Sequence, residues 1–180
     1  GDWYKSQALN ILDGWSTNQP FVINVETPPN TSLNADTLGA GVHLYEATLG
    51  LNQQDADCAA IPIPSAGCKV GDKLTFGVDY VLGLADSNTI TVVPLKPLKA
   101  AQGYLLVMTE DLKDSSGKPV KGSSTWDLVA QDIETKPLAT ESQLNLQTLI
   151  NLHLSSLENA GVQTDNVTYV SAFTTQSVTN

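Results

Sequence analysis

The fold is decided by residues 79–93, which read Asp79-Tyr80-Val81-Leu82-Gly83-Leu84, then Ala85-Asp86-Ser87-Asn88, then Thr89-Ile90-Thr91-Val92-Val93. The two outer runs are rich in the β-branched and aromatic residues that suit a pleated sheet. The polar segment 86–88 between them has the composition of a hairpin turn. These residues therefore predict two adjacent antiparallel strands.

Five further stretches have strand character, and one of them, 41–49, alternates in the way a half-buried antiparallel strand does. Seven short strands separated by turn residues favour a β-sandwich over a parallel sheet. Because strands and helices do not alternate along the chain, a Rossmann or hydrolase core is not expected. The five stretches are residues 21–26, 41–49, 74–76, 103–109 and 167–173.

Two segments have helical periodicity. Residues 2–13 predict a short N-terminal helix that is capped by Asp2 and stopped by Gly14. A longer helix is predicted near residues 141–160, where Thr140 and Gln143 form a capping-box pair. Its apolar stripe should pack on the sheet or on the N-terminal helix, and it consists of Leu146, Leu149, Ile150, His153 and Leu157.

The charge of the chain excludes one class of partner. The 180 residues carry 19 acidic side chains against nine Lys and no Arg, which gives a net charge of −10. Nucleic-acid binding needs clustered cations that displace counterions from phosphates, so no nucleic-acid partner is expected. No run of 18 apolar residues is long enough to span a bilayer. We expect any export signal to have been removed from this chain.

No catalytic, cofactor or metal residues are predicted. The segment Gly122-Ser123-Ser124-Thr125-Trp126 lacks the second glycine of a Gly-x-Ser-x-Gly nucleophile elbow. His43 and His153 lie in no ligand cluster; we interpret His43 as a surface or interface residue and His153 as a satisfied, partly buried one. The acidic segments 55–57 and 111–114 do not match an EF-hand and are interpreted as solvated loops, with Ca²⁺ binding left open. A triad built from distant residues also stays open.

The three tryptophans allow two interpretations. Trp3, Trp15 and Trp126 are expected in core or interdomain packing, and the alternative is a surface on which sugar rings stack.

Both cysteines lie in residues 50–72, which we interpret as an irregular insertion. Cys58 and Cys68 are predicted to form a disulfide, because the chain has the composition of an exported protein and thiols pair in oxidising compartments. Two buried free thiols are the alternative. A zinc site would need further ligands, and the sequence offers no Cys or His nearby.

Three stretches together resemble a known family. They are Leu12-Asp13-Gly14-Trp15-Ser16-Thr17 with 20–23, the long stretch 74–120, and Ser171-Ala172-Phe173-Thr174-Thr175-Gln176-Ser177. They are similar to the N-terminal domain of bacterial extracellular, virulence-factor-type lipases and lysophospholipases of Gram-negative bacteria. The middle stretch is also similar to many bacterial Ig-like modules.

This resemblance implies a mainly β fold: an Ig-like antiparallel sandwich over residues 1–180, with the short N-terminal helix and the longer helix. It also implies that a catalytic α/β-hydrolase domain follows residue 180 in the same chain and acts on lipid esters. The family's catalytic residues have no counterparts here. The parent protein is expected to be secreted or attached to the outer-membrane surface through a lipid anchor, and the oligomeric state stays open.

Three functions therefore compete. The first is a non-catalytic accessory domain that packs on or positions the hydrolase domain. The second is a stand-alone Ig-like module for carbohydrate binding, protein binding or adhesion. The third is a small hydrolase with an unrecognised site. An exposed apolar patch favours the first function, a row of exposed Trp or Tyr the second, and a cleft holding His with Ser and Asp the third.

Overall fold

The computed structural model describes residues 12–15, 18–52, 54–121 and 125–175, with the backbone alone for 12–15. Within these ranges lie eight strands and four α-helices. The strands are β1 (Leu12–Trp15), β2 (Phe21–Asn24), β3 (Val42–Leu49), β4 (Gly67–Lys73), β5 (Tyr80–Asp86), β6 (Thr89–Pro94), β7 (Gly103–Thr109) and β8 (Val167–Thr175). The helices are α1 (Leu38–Gly41), which follows a 3₁₀ turn, α2 (Ala56–Ala59), α3 (Trp126–Val129) and α4 (Glu141–Asn159).

The strands form two sheets, a five-stranded one in the order β1-β8-β7-β3-β4 and a three-stranded one in the order β2-β6-β5. All pairs are antiparallel except β1 with β8. The predicted hairpin is confirmed as β5–β6, with Val81 opposite Val93. The mainly β sandwich predicted from the sequence is therefore the fold that the structure has.

A stack of aromatic rings joins the two sheets. Phe21 on β2 lies 4.9 Å from Phe173 on β8, measured between ring centroids. The Tyr104 ring on β7 stacks on the same phenyl ring at 5.2 Å. Since all three side chains are buried, these rings form the centre of the core between the sheets.

Helix α4 adds a third layer on the other side of the five-stranded sheet, where it packs on β4 and β8. Thr140 caps it by accepting a hydrogen bond from the Gln143 N–H at 3.3 Å. The predicted stripe is buried as expected. Because the sheet is covered on both faces, all but one residue in each of β7 and β8 is buried.

A hydrogen bond at the start of β7 strengthens the Ig-like description. The Lys99 N–H donates to the Tyr104 hydroxyl at 3.0 Å, from the loop just before that strand. Immunoglobulin-type sandwiches have such a tyrosine corner, in which a Tyr near the start of strand F bonds to backbone a few residues upstream. β7 occupies the corresponding place here, between β8 and β3.

Two sequence predictions differ from the structure. Residues 74–76 are not a strand, and the strand of this region is β4, inside the segment predicted to be irregular. β4 is an edge strand that contains Lys69, Asp72 and Lys73, and charged edges of this kind resist unwanted pairing. Such an edge has little apolar alternation, so its pattern does not predict a strand.

The N-terminal helix is the second difference. Leu12 and Asp13 lie in β1, where Leu12 is opposite Phe173 of β8. Pairing with a buried strand replaces helical structure at this end of the predicted helix. The remainder of it, residues 2–11, lies outside the described residues.

Candidate functional site

His153 lies on the buried face of α4 and is not part of a catalytic pair among the described residues. Its Nδ1 accepts a hydrogen bond from the Gly67 N–H at 2.9 Å, and its side chain has no exposed surface. The nearby Ser156 hydroxyl donates to the His153 carbonyl oxygen at 2.8 Å instead of to the imidazole. Burial lowers the His153 pKa to about 3, so the ring is neutral at physiological pH. Substrate cannot reach this histidine.

The environment of His153 differs from the prediction of a satisfied, partly buried residue. The ring is completely buried, and Nε2 has no hydrogen-bond partner among the described residues. A buried nitrogen of this kind costs free energy, because water is no longer available to it.

His43 lies on β3, opposite Val107 of β7. It is partly buried rather than fully on the surface. Burial lowers its pKa first, and the Lys73 ammonium lowers it further. The structure does not place His43 together with His153 or in a nucleophile–base–acid arrangement among the described residues.

The two acidic segments organise their own loops. Asp55 caps α2 by accepting from the Asp57 and Cys58 N–H groups, and Lys69 binds the same carboxylate at 2.8 Å. The hydrogen bond from Lys69 lowers the Asp55 pKa. Local hydrogen bonds therefore account for this carboxylate without a metal ion.

Asp114 is buried, in contrast to the prediction of a solvated loop. Its carboxylate accepts from the Ser116 hydroxyl at 2.6 Å and from the Lys118 N–H at 3.1 Å. The bond from Ser116 is the main reason why the Asp114 pKa is lowered. Among the described residues, no group of three or more His, Cys, Asp or Glu side chains is arranged to hold a metal ion.

Cys58 and Cys68 form the predicted disulfide. The bond joins α2 to β4, and Cys68 directly follows Gly67, the residue that donates to His153. The disulfide therefore fixes an edge strand of the larger sheet.

The described aromatic side chains do not form a sugar-stacking row. Trp126 lies on α3 and is buried in the core, as predicted. Tyr45, Tyr80, Tyr104 and Tyr169 are also buried. Trp3, the side chain of Trp15, and Ser123 with Ser124 lie outside the described residues.

A cleft of about 470 Å³ lies between the β3–β4 edge and the loop that follows β6. Lys99 binds Glu46 at 3.0 Å there, and Lys96 is 3.9 Å from Asp79. The hydrogen bond with Glu46 raises the Lys99 pKa. These carboxylates are paired with ammonium groups, an arrangement that suits an ionic link between loops rather than acid–base chemistry.

The outer side of the three-stranded sheet has no charged side chain in its central rows, and at one end of it Thr89 donates a hydrogen bond to Asn24 at 2.8 Å. The side chains that alternate with the buried Phe21, Ile90 and Val92 point away from the core. We call this surface the valine face, and it consists of Val22, Val81, Gly83, Thr91 and Val93. Sandwich strands usually place polar residues on the outside, so three valines on this outer face are unusual.

The valine face is exposed at its β2 edge, whereas Val81, Gly83, Thr91 and Val93 are partly buried. Val22 is 52% exposed, and Leu95, which follows β6, is 51% exposed. A methyl group added at Gly83 would meet nothing within 4 Å. By contrast, the outer face of the five-stranded sheet is covered by α4.

The last described residue is tied to the loop that leads away from this face. Thr175 Oγ1 donates to the Lys99 carbonyl at 2.5 Å and accepts from the Gln102 N–H at 2.9 Å. A second cleft, of about 660 Å³, opens at this end beside Leu51, which is 44% exposed. Loop 95–102 therefore connects the edge of the valine face with the point where the chain leaves β8.

These features define an Ig-like sandwich. One of its sheets has valines on its outer surface, and the polar side chains described above are buried, are paired with an opposite charge or cap a helix. The family comparison agrees with that description: the model of the bacterial virulence factor lipase N-terminal family matches residues 5–180. The chain belongs to this family of lipase N-terminal domains. A domain of this kind implies a catalytic region further along the same chain.

Two other findings complete the comparison. A search of curated proteins found no match. In the part of the chain that the structure describes, no helix has the length and apolarity needed to cross a bilayer.

Proposed function

We propose that this chain is the non-catalytic N-terminal accessory domain of a secreted or surface-anchored lipase or phospholipase of a Gram-negative bacterium. In this role it packs on the catalytic hydrolase region of the same chain and positions it for lipid degradation. The observation that carries the proposal is the family match over residues 5–180. The acidic composition and the disulfide support an extracytoplasmic location, and a lipid anchor would hold the parent protein at the outer membrane.

The polar groups of the domain support a role without catalysis. His153 is neutral and inaccessible, and the Ser156 hydroxyl is bonded to a backbone carbonyl. A serine hydrolase instead needs an accessible nucleophile within hydrogen-bond reach of its base. An accessory domain needs only a stable fold and a contact surface.

A stand-alone binding or adhesion module is the alternative function. It has less support, because the tyrosines and the tryptophan whose side chains are described are buried and cannot stack on a sugar. The exposed apolar surface at Val22 and Leu95 is of the kind that favours a domain contact.

Hydrolysis of a short-chain p-nitrophenyl ester tests the proposal. The full-length protein should hydrolyse the ester, whereas the purified fragment 1–180 should not raise the rate above the buffer rate. A circular dichroism spectrum and a cooperative melt would establish that the fragment is folded. Turnover by the fragment that is lost on replacing His43 or His153 by Asn would refute the accessory role.

A further inference from the structure

We propose that the valine face is the surface on which the catalytic region of the same chain docks. This inference rests on the proposed function and assigns that function to one side of the sandwich. The partner surface that fits is apolar and flat, because the face presents β-branched side chains on a short sheet without a charged group in its two central rows.

The composition of the face is the first argument. Val22 lies opposite Thr91, and Thr91 lies opposite Gly83, which gives one row across the three strands. Val93 and Val81 form the next row. Burying a valine side chain that is exposed to water stabilises a protein or an interface. The exposed Val22 and the partly exposed Val81 and Val93 therefore provide a driving force for association.

The size of the face argues for a tethered partner. Three strands about 4.8 Å apart and about five residues of about 3.4 Å give a flat area of roughly 240 Å². A stable interface between separate proteins buries about 800 Å² on each partner. The face alone is too small for a lasting dimer. A region in the same chain is present at an effective concentration of about 1 mM, so a weak contact suffices.

The path of the chain is consistent with that partner. Loop 95–102 runs from Leu95 at the edge of the face to Gln102, which is bonded to Thr175. Seven residue steps span at most about 25 Å. Thr175, from which the chain continues toward the catalytic region, therefore lies within roughly 30 Å of Leu95. The α4 side, in contrast, is already filled by the helix.

Cysteine protection in the full-length protein tests the inference. Separate variants carry Val22→Cys or Thr91→Cys on the face, Leu51→Cys beside the chain exit, and Leu128→Cys on α3. Leu128 is the matched control, because its 45% exposure is close to the 52% of Val22. Iodoacetamide labelling is followed by peptide mass spectrometry, at two protein concentrations and with or without phosphatidylcholine vesicles. If the contact has a dissociation constant of about 0.1 mM, an effective concentration of about 1 mM keeps the face covered most of the time. Labelling at positions 22 and 91 should then be about tenfold slower than at the control position 128.

Each result decides the question. Slow labelling at 22 and 91, with fast labelling at 128, supports the inference if it does not change with concentration or vesicles. Fast labelling at 22 and 91 with slow labelling at 51 overturns it and leaves the proposed packing intact. Fast labelling at all four positions overturns both. Protection that needs high protein concentration assigns the face to a second copy, and protection that needs vesicles assigns it to lipid; both results overturn the inference.

A second measurement does not depend on substitutions. Hydroxyl-radical footprinting of the unsubstituted full-length protein compares oxidation of Val22 and Leu95 with that of Leu128. Lower oxidation of the first two supports docking at the face. Equal oxidation overturns it, even if a cysteine variant fails to fold.

Discussion

The Gly67 backbone N–H donates a hydrogen bond to Nδ1 of His153, across 86 residues of sequence, at 2.9 Å. This bond joins α4 to the first residue of edge strand β4. It requires a neutral imidazole whose Nδ1 carries no proton, and the depth of burial favours that form. The attachment of the helical layer to the sheet therefore depends on the protonation of one side chain.

Acidification should weaken the fold through His153. Its folded pKa of about 3 lies below the ordinary histidine value of 6.5, so its stabilising contribution is complete above pH 6.5 and falls as the pH decreases toward 3. Between pH 7 and pH 5 the free energy of unfolding should fall by about 2 kcal/mol. Urea denaturation at the two pH values measures this. His153→Asn keeps an acceptor near the Nδ1 position and should show a smaller loss.

His43 is the control for that experiment, because burial and Lys73 lower its pKa in the same direction. His43→Asn should retain most of the pH dependence. An unchanged pH dependence in His153→Asn would show that other groups govern the acid response.

Gly67→Ala should destabilise the domain. An added Cβ would lie 2.9 Å from Ser156 Oγ and 3.3 Å from His153 Nδ1. Overpacking of this kind costs about 1–3 kcal/mol. The matched substitution is Gly71→Ala in the same strand, where the nearest atom would be 3.6 Å away. Thermal melts should show a loss at 67 and little change at 71; equal melting temperatures would refute close helix–sheet packing at Gly67.

Gln147→Leu should also destabilise the domain, although it adds apolar surface. The buried Gln147 amide accepts from the Leu138 N–H at 2.9 Å and donates to the Gln131 and Lys136 carbonyls at 3.1 and 2.9 Å. Leucine leaves the Leu138 N–H and the Lys136 carbonyl without these partners, at about 1–3 kcal/mol for each group that stays buried, whereas the Gln131 carbonyl keeps its bond from Asn151.

The control for Gln147 is the exposed Gln143 in the same helix. Gln143→Leu keeps the backbone N–H that Thr140 caps. Chemical denaturation should therefore separate the two variants by more than about 1 kcal/mol. If the two variants are equally stable, water forms hydrogen bonds to the backbone groups before α4 as effectively as Gln147 does.

Local periodicity predicted the parts of the fold that have a strong pattern of their own. The β5–β6 hairpin, β7 and the stripe of α4 are examples. β4 has polar residues at an exposed edge, so its identity depends on pairing with β3. The partners of Gln147 and His153 come from tertiary structure, and the stripe predicted from periodicity includes His153 but not the buried Gln147.

The surface proposed for docking could not be predicted for a similar reason. Val22, Val81 and Val93 appear in the sequence as ordinary strand residues. Only the register of β2, β6 and β5 places them side by side on the outer face. The helix on the other side of the sandwich then leaves this face as the uncovered one among the described sheets.

Removing the disulfide should lower global stability, because it connects α2 to a strand of the main sheet. Cys58 is fully buried, and Cys68 lies one residue from the Gly67–His153 hydrogen bond. A loop closed over 10 residues restricts the unfolded chain by about 2–3 kcal/mol. Cys58→Ser combined with Cys68→Ser should therefore lower the free energy of unfolding by that amount.

Dithiothreitol should destabilise the unsubstituted protein similarly and leave the double variant unchanged. Intact mass after alkylation without reductant should show no modified cysteine. If two cysteines are modified, the bond is absent from the isolated protein, and the argument for an oxidising compartment loses its chemical support.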